Sequence, residues 1–132
     1  MAVPKIPKDI REFIGRYLPS VEHLETFIVL QRNSTRSWNA AEMSAELRIP
    51  ESTAADVLEE LASDNFLDVK ISNEILYRFN PATGSLEDLA ARCADMYARQ
   101  RIAIINTVTA ASLGRMHDFA EACRFKKGKA GG

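Results

Sequence analysis

The stretch from Trp38 to Leu67 constrains the fold more than any other part of the chain. Two short segments with apolar stripes are separated there by Arg48-Ile49-Pro50. A proline ring cannot continue a helix, and it pushes the residue before it out of the helical region. The stripes consist of Ala40, Met43 and Leu47 in the first segment, and Ala54, Val57, Leu58 and Leu61 in the second. This spacing predicts two amphipathic helices joined by a tight turn.

Residues that can cap the two helices, and a hairpin pattern after them, complete this unit. Asn39 and Glu42 have the spacing of a capping box at the start of the first helix, and Asn65 sits where a left-handed residue ends the second. Residues 67–70 and 75–79 then predict two strands of a hairpin around a Ser-Asn turn. Trp38 is expected to be buried between the first helix of the unit and this hairpin.

These features resemble the winged helix-turn-helix family, particularly bacterial transcription regulators of the multidrug-resistance-regulator type. The resemblance covers about residues 20 to 80. It rests on Leu58, Leu61 and the run Asn65-Phe66-Leu67, which is similar to the family's turn and first wing strand with Asn in place of the usual Gly. The resemblance implies a winged-helix fold, DNA binding and dimerisation through helices outside the winged-helix unit. A ligand-sensing repressor is implied by the resemblance alone.

The predicted fold class is mainly α with a small β-wing (α+β), flanked by N- and C-terminal helices. We divide the chain into an N-terminal arm and helix (1–19), a winged helix-turn-helix domain (20–80), a C-terminal helical extension (81–125) and a basic flexible tail (126–132). The predicted N-terminal helix carries Ile10, Phe13, Ile14, Tyr17 and Leu18 at helical spacing.

The extension is predicted to provide a dimer interface. A long helix capped by Ser85 would run to about Ile105, with Leu86, Leu89, Cys93, Met96 and Tyr97 on one apolar face. So large a face predicts pairing with a second copy, and the alternative is packing on the chain's own N-terminal helix. Residues 103–108 are β-branched and apolar enough that they could instead form a strand.

Composition and motifs predict a protein that is not an enzyme. The chain has 132 residues, of which 46% are apolar and 27% charged, which suits one globular domain. No apolar run approaches the ~20 residues of a membrane span, so a cytoplasmic location without membrane contact is expected. Cys93 and Cys123 have neither disulfide nor zinc spacing, and His23 lacks a second ligand one helical turn away. Catalytic motifs are missing, so no cofactor, metal or small-molecule substrate is expected.

Charge decides between two predicted functions. Residues 20–80 carry five Lys and Arg against eleven Asp and Glu, a net charge of −6, and the second helix of the motif has no Lys or Arg. We therefore predict a regulatory module that binds a protein partner through Glu51, Asp56, Glu59 and Glu60. The alternative is a dimeric, sequence-specific DNA-binding regulator, which the charge disfavours. Its predicted DNA contacts are Ser52, Thr53, Arg32, Arg36, Lys70, Arg78, Lys126 and Lys127.

Overall fold

The computed structural model describes residues 6–111, which form six helices and three strands. The helices are α1 (Lys8–Tyr17), α2 (Val21–Arg32), α3 (Ala40–Leu47), α4 (Glu51–Ser63), α5 (Gly84–Arg99) and α6 (101–111). The strands are β1 (Ser37–Trp38), β2 (Leu67–Ile71) and β3 (Ile75–Phe79), ordered β1-β3-β2 in an antiparallel sheet. The predicted fold class is confirmed, and the arrangement is compatible with a winged helix.

The α3–α4 pair forms with the predicted turn. Asn39 Oδ1 accepts the Glu42 backbone N–H at 2.7 Å, and Glu42 Oε1 accepts the Asn39 backbone N–H at 2.9 Å, so the capping box is complete. Arg48 ends α3 in the left-handed region, with φ of 57°. Pro50 precedes α4, and its ring prevents the two helices from merging into one.

Asn65 redirects the chain from α4 into the sheet, as predicted. Its φ is 70°, a left-handed conformation that Asn adopts more readily than most residues. The Phe66 N–H donates to the Leu61 carbonyl at 3.1 Å and closes the end of the helix. The turn also places Phe66 in the core, where its ring packs edge-on against Phe13, Tyr17 and Phe27.

One hydrophobic core joins the predicted segments. Trp38 is only 2% exposed, which confirms its predicted burial, and it pairs with Tyr77 in the sheet. The flanking helices contribute fully buried side chains to the same core, namely Ile10 and Ile14 from α1, Cys93 from α5 and Ile104 from α6. The helices outside residues 20–80 therefore complete the core instead of standing apart from it.

The C-terminal extension differs from the prediction in two ways. Thr83, not Ser85, caps α5, because its backbone is extended and its Oγ1 accepts the Leu86 N–H at 3.1 Å. The single long helix is also wrong, since α5 ends before Gln100 and a new helix starts at residue 101. The break directs Ile104 and Val108 into the core. Residues 103–108, for which a strand was the alternative, are helical.

Between residues 6 and 111, none of the helices combines the length and the apolar character that a bilayer crossing requires.

Candidate functional site

The outward side of α4 carries an exposed acidic patch. Asp56 and Glu59 are both exposed and lie between Ser52, in the first turn, and Ser63, at the end of the helix. The inward side packs into the core through Ala54, Val57, Leu58 and Leu61. Residues three apart on a helix are neighbours, so the two carboxylates place like charges side by side. We name Asp56 and Glu59 the α4 acidic patch.

The other two acids predicted to bind a partner have different surroundings. Glu51 is exposed in the first turn of α4, where a negative charge complements the positive end of the helix dipole. Glu60 Oε2 lies 2.5 Å from His23 Nε2, so its carboxylate is engaged within the chain. The predicted set of four acids is therefore not one uniform surface.

Ser20 extends the contact between His23 and Glu60 into a chain of hydrogen bonds. The Ser20 hydroxyl lies 2.7 Å from His23 Nδ1, and the same oxygen accepts the His23 backbone N–H as the N-cap of α2. With the ring proton on Nε2, His23 accepts from Ser20 and donates to Glu60. The chain of hydrogen bonds links the start of α2 to the middle of α4.

The connectivity of Ser20, His23 and Glu60 resembles that of a hydrolytic triad, in which a histidine lies between a serine and a carboxylate. The Ser20 oxygen, however, is held against the backbone as a helix cap. We therefore interpret these three residues as a structural link between α2 and α4. This link was not predicted from the sequence, although a serine cap followed by His at the third position could have indicated the contact between Ser20 and His23.

A groove of about 410 Å³ lies beside the link, where α1 meets the C-terminal half of α4. Glu59, Glu60 and Asp64 contribute carboxylates to its lining, and Arg16 contributes a guanidinium. Burial, reinforced by the charge of Glu60, raises the pKa of Asp64, and the charge of Arg16 partly opposes this shift. Negative charge thus extends from the α4 acidic patch to the end of the helix.

Two of the cations predicted for DNA binding contact acidic side chains. Arg78 donates to Asp68 at 3.1 Å across the β2–β3 hairpin, and the Asn80 amide and Arg78 together lower the pKa of Asp68. Arg36 lies 3.6 Å from the centre of the Trp38 ring and 3.5 Å from Glu42. Exposed ion pairs of this kind are weak, but they reduce the positive charge presented locally.

The other predicted DNA contacts are spread over the molecule. Arg32 ends α2 with its guanidinium 5.8 Å from the Tyr97 ring, and Lys70 is exposed on β2. Ser52 is exposed and Thr53 half-buried in the first turn of α4. Lys126 and Lys127 lie outside the described residues. Of the predicted cations within residues 6–111, none lies on α4 itself.

Part of the predicted dimer face of α5 is used inside the chain. Cys93 and Tyr97 are buried, whereas Leu86, Leu89 and Met96 are half-buried against the core. The helix contacts α1 and α2, and Arg92 forms an ion pair with Asp9 of α1 at 2.6 Å. Packing on the N-terminal helix, the alternative predicted from the sequence, is therefore observed. Pairing with a second copy stays a prediction.

The part of the chain that the structure describes offers neither a group of metal ligands nor a reactive thiol. Residues 6–111 contain no group of three or more His, Cys, Asp or Glu side chains that could hold a metal ion. Burial raises the pKa of Cys93 to about 12, so this thiol stays protonated at neutral pH and is a poor nucleophile. Cys123 lies outside the described residues.

Comparisons with protein-family models, with curated proteins and with solved structures found no match to this chain. Since a fold alone does not define an activity, the function must be inferred from the site itself.

Proposed function

We propose that this chain is a non-enzymatic, winged-helix regulatory module that acts mainly through protein–protein contacts, with α4 as its recognition helix. The observation that supports the proposal most is the α4 acidic patch. Asp56 and Glu59 stand exposed on the helix that, by the winged-helix resemblance, would read DNA.

Electrostatics favour a protein partner over DNA at this helix. Affinity for duplex DNA depends largely on Lys and Arg side chains that neutralise phosphates, and α4 has neither. A carboxylate can accept a hydrogen bond from cytosine, but nearby phosphates repel it. Against a basic protein surface the same two carboxylates speed association and select the partner, because the charges are complementary.

The test reverses the charge of the patch and compares it with a matched control. Asp56→Arg with Glu59→Arg changes the patch, and Glu12→Arg with Glu87→Arg makes the same change in net charge on α1 and α5. Random-sequence duplex DNA is titrated against both variants and the wild type at low and physiological salt. We expect weak binding by the wild type and the control, and tighter binding by the patch variant that declines steeply as salt rises.

Capture from a lysate of the source organism supplies the second measurement. Proteins that the wild type and the control retain, and that the patch variant loses, support recognition through α4. Tight, sequence-selective binding of duplex DNA by the wild type at physiological salt contradicts the proposal.

The second candidate is a dimeric, sequence-specific DNA-binding regulator. The geometry of the α3–α4 pair favours it, because Ser52 and Thr53 begin α4 in a position to donate to a phosphate. Dimerisation would also double the number of cations available. Sedimentation equilibrium of the wild type and of Leu89→Glu tests the dimer. Leu89 is half-buried and suits this test, whereas substitution of the buried Tyr97 would disturb the core. A wild type that stays monomeric at high concentration contradicts this candidate.

A further inference from the structure

Most of the exposed large apolar side chains within residues 6–111 lie together on the β2–β3 hairpin. There are four, and three of them are Val69, Ile71 and Ile75, which are 45%, 77% and 44% exposed; the fourth is Ile102 on α6. The strand register pairs Ile71 with Ile75 and Val69 with Tyr77. Directly paired residues of antiparallel strands project to the same face, so the three exposed side chains form one cluster. A contiguous apolar cluster, unlike a single exposed residue, indicates an interaction surface.

This hairpin face continues outward from the core. Leu67 and Phe79 pair with each other at the base of the hairpin and are buried, and Tyr77 is also buried in the middle. Exposure then increases to 77% at Ile71, beside the turn. The chain therefore buries the part of this face near the core, and the part near the turn, which carries the apolar cluster, is exposed.

The basic residues of the hairpin lie on its opposite face. Side chains alternate along a strand, so Lys70 and Arg78 project away from the apolar cluster. Lys70 pairs with Leu76 there, and Arg78 pairs with Asp68. The face that carries the cluster thus presents no charged side chain from either strand.

The α4 acidic patch and the apolar cluster lie on elements that contact each other, α4 and the hairpin. Helix α4 contacts β2, the strand that carries Val69 and Ile71, and Tyr77 lies on the face of the cluster. Burial is the main cause that raises the pKa of Tyr77, and the negative charge of Glu59 adds to it. We name Asp56, Glu59, Val69, Ile71 and Ile75 together the α4–hairpin surface.

We propose that the α4–hairpin surface binds a basic amphipathic helix of a partner protein. Its apolar side chains would cover the three exposed hairpin residues, and its Lys or Arg side chains would face Asp56 and Glu59. Residues two apart on a strand are ~6.6 Å apart, close to the ~6 Å that separates helical residues four apart. Successive turns of a helix lying along β2 can therefore meet Val69 and Ile71. This inference rests on the proposed function and specifies the chemistry of the partner.

Charge complementarity favours this occupant over a second copy, a membrane or DNA. A second copy that met the first through the same surface would bring two acidic patches together. Anionic lipid would repel Asp56 and Glu59, and DNA would gain nothing from the apolar cluster. A basic amphipathic helix can contact the apolar cluster and the acidic patch at the same time.

The experiment uses two synthetic peptides with the full chain. The probe is a fluorescein-labelled peptide of Leu and Lys, about 18 residues long, with Leu at helical spacing so that one face is apolar. The second peptide has the same composition in an order that removes the apolar face. Fluorescence anisotropy at physiological salt should show at least about tenfold tighter binding of the amphipathic peptide, a difference of about 1.4 kcal/mol.

Matched variants locate the binding. Ile71→Thr with Ile75→Thr keeps strand propensity but removes apolar surface, and we expect it to abolish the preference for the amphipathic peptide. Ile102→Thr removes the exposed isoleucine of α6 and should preserve the preference. In methyl NMR spectra the peptide should shift the signals of Val69, Ile71 and Ile75 and leave that of Ile102 unchanged.

Several results would overturn the inferred partner, and each can be distinguished from a failure of the proposed function. Equal binding of both peptides shows recognition by charge alone. A preference that survives the Ile71 and Ile75 substitutions shows that the apolar face of the peptide binds elsewhere, and either result leaves the proposed function intact. Binding of neither peptide rejects the amphipathic partner. Shifts of the same methyl signals with protein concentration alone identify a second copy as the occupant. The proposed function itself is contradicted by a different result, namely tight and sequence-selective binding of duplex DNA by the wild type.

Discussion

Two neighbouring glutamates on α4 illustrate how one residue type serves two purposes in this molecule. Glu60 contacts His23 of α2, whereas Glu59 faces solvent near the hairpin. A helix has 3.6 residues per turn, so adjacent residues point about 100° apart. The comparison shows that the number of acids on a helix does not define a recognition surface. Their positions around the helix axis decide which ones remain for a partner.

The two sides of α4 should therefore differ in what they contribute. Contacts on the inward side and at Glu60 hold the helix in place, and the patch on the outward side contributes little to stability. Substitutions on each side of the helix can therefore separate these contributions.

Leu61→Ala should cause the largest loss of stability. Leu61 is fully buried on the inward side, and its truncation leaves a cavity in the core. The free energy of unfolding is expected to fall by about 2–5 kcal/mol. Ser63→Ala, on the exposed side of the same helix, is the control and should change it by less than about 0.5 kcal/mol. Urea denaturation followed by circular dichroism measures both, and similar losses for the two variants would contradict the division of α4 into two sides.

Local signals in the sequence were sufficient to predict most of α3, α4 and the hairpin. Asn39 with Glu42, Pro50 and Asn65 each act within a few residues, so the capping box, the turn and the left-handed end of α4 were all predictable. The break at Gln100 was not, because the apolar repeat continues across it. Tertiary packing decides there, since the break allows α6 to reach the core.

The candidate site was only partly predictable for a related reason. The acidity of α4 is a property of its sequence, but the partner of Glu60 is 37 residues away in α2. The apolar cluster was equally hidden, because Val69, Ile71 and Ile75 fit the pattern of an ordinary half-buried hairpin. Their exposure follows from how far the hairpin extends beyond the core, which alternation along the strands does not indicate.

A double-mutant cycle on His23 and Glu60 should give the next largest effect. His23→Ala, Glu60→Ala and the double variant are compared by chemical denaturation. The Glu60 side chain is more than half exposed, so we expect a coupling energy of only about 0.5–1 kcal/mol. The matched cycle of His23→Ala with Glu59→Ala should show no coupling. A coupling of the same size in both cycles would mean that the comparison between Glu59 and Glu60 is wrong.

Asp64→Asn should produce a small gain in stability at neutral pH. Burial and the charge of Glu60 raise the pKa of Asp64 above its ordinary value of 3.8, so the folded chain binds this proton more tightly than the unfolded chain. The protonated Asp64 carboxyl therefore favours the folded state, and this contribution to the free energy of unfolding is lost as pH rises through the pKa of the folded chain. A negative charge at the C-terminal end of α4 is also unfavourable to the helix dipole.

The melting temperature of Asp64→Asn should therefore exceed that of the wild type at pH 7. The difference should shrink as pH falls below the ordinary value of 3.8, because the carboxyl then becomes protonated in both the folded and the unfolded state. Thermal denaturation at the two pH values measures it. A lower melting temperature at pH 7 would indicate that Arg16, which lines the same groove, outweighs the repulsion from Glu60.

The smallest effect on stability is expected from Asp56→Asn with Glu59→Gln. Amides keep nearly the shape of the carboxylates, and neither side chain is buried, so the core and the link to α2 remain intact. Removal of two neighbouring like charges relieves a weak repulsion, and the free energy of unfolding should stay within about 0.5 kcal/mol of the wild type. Binding of the amphipathic Leu–Lys peptide should nevertheless weaken, and its dependence on salt should become shallower, because the attracting charges are gone. Denaturation and peptide anisotropy on the same samples measure the two quantities. A stability loss as large as that of Glu60→Ala would show that the outward acids hold the fold together, and unchanged peptide binding would show that they have no role in recognition.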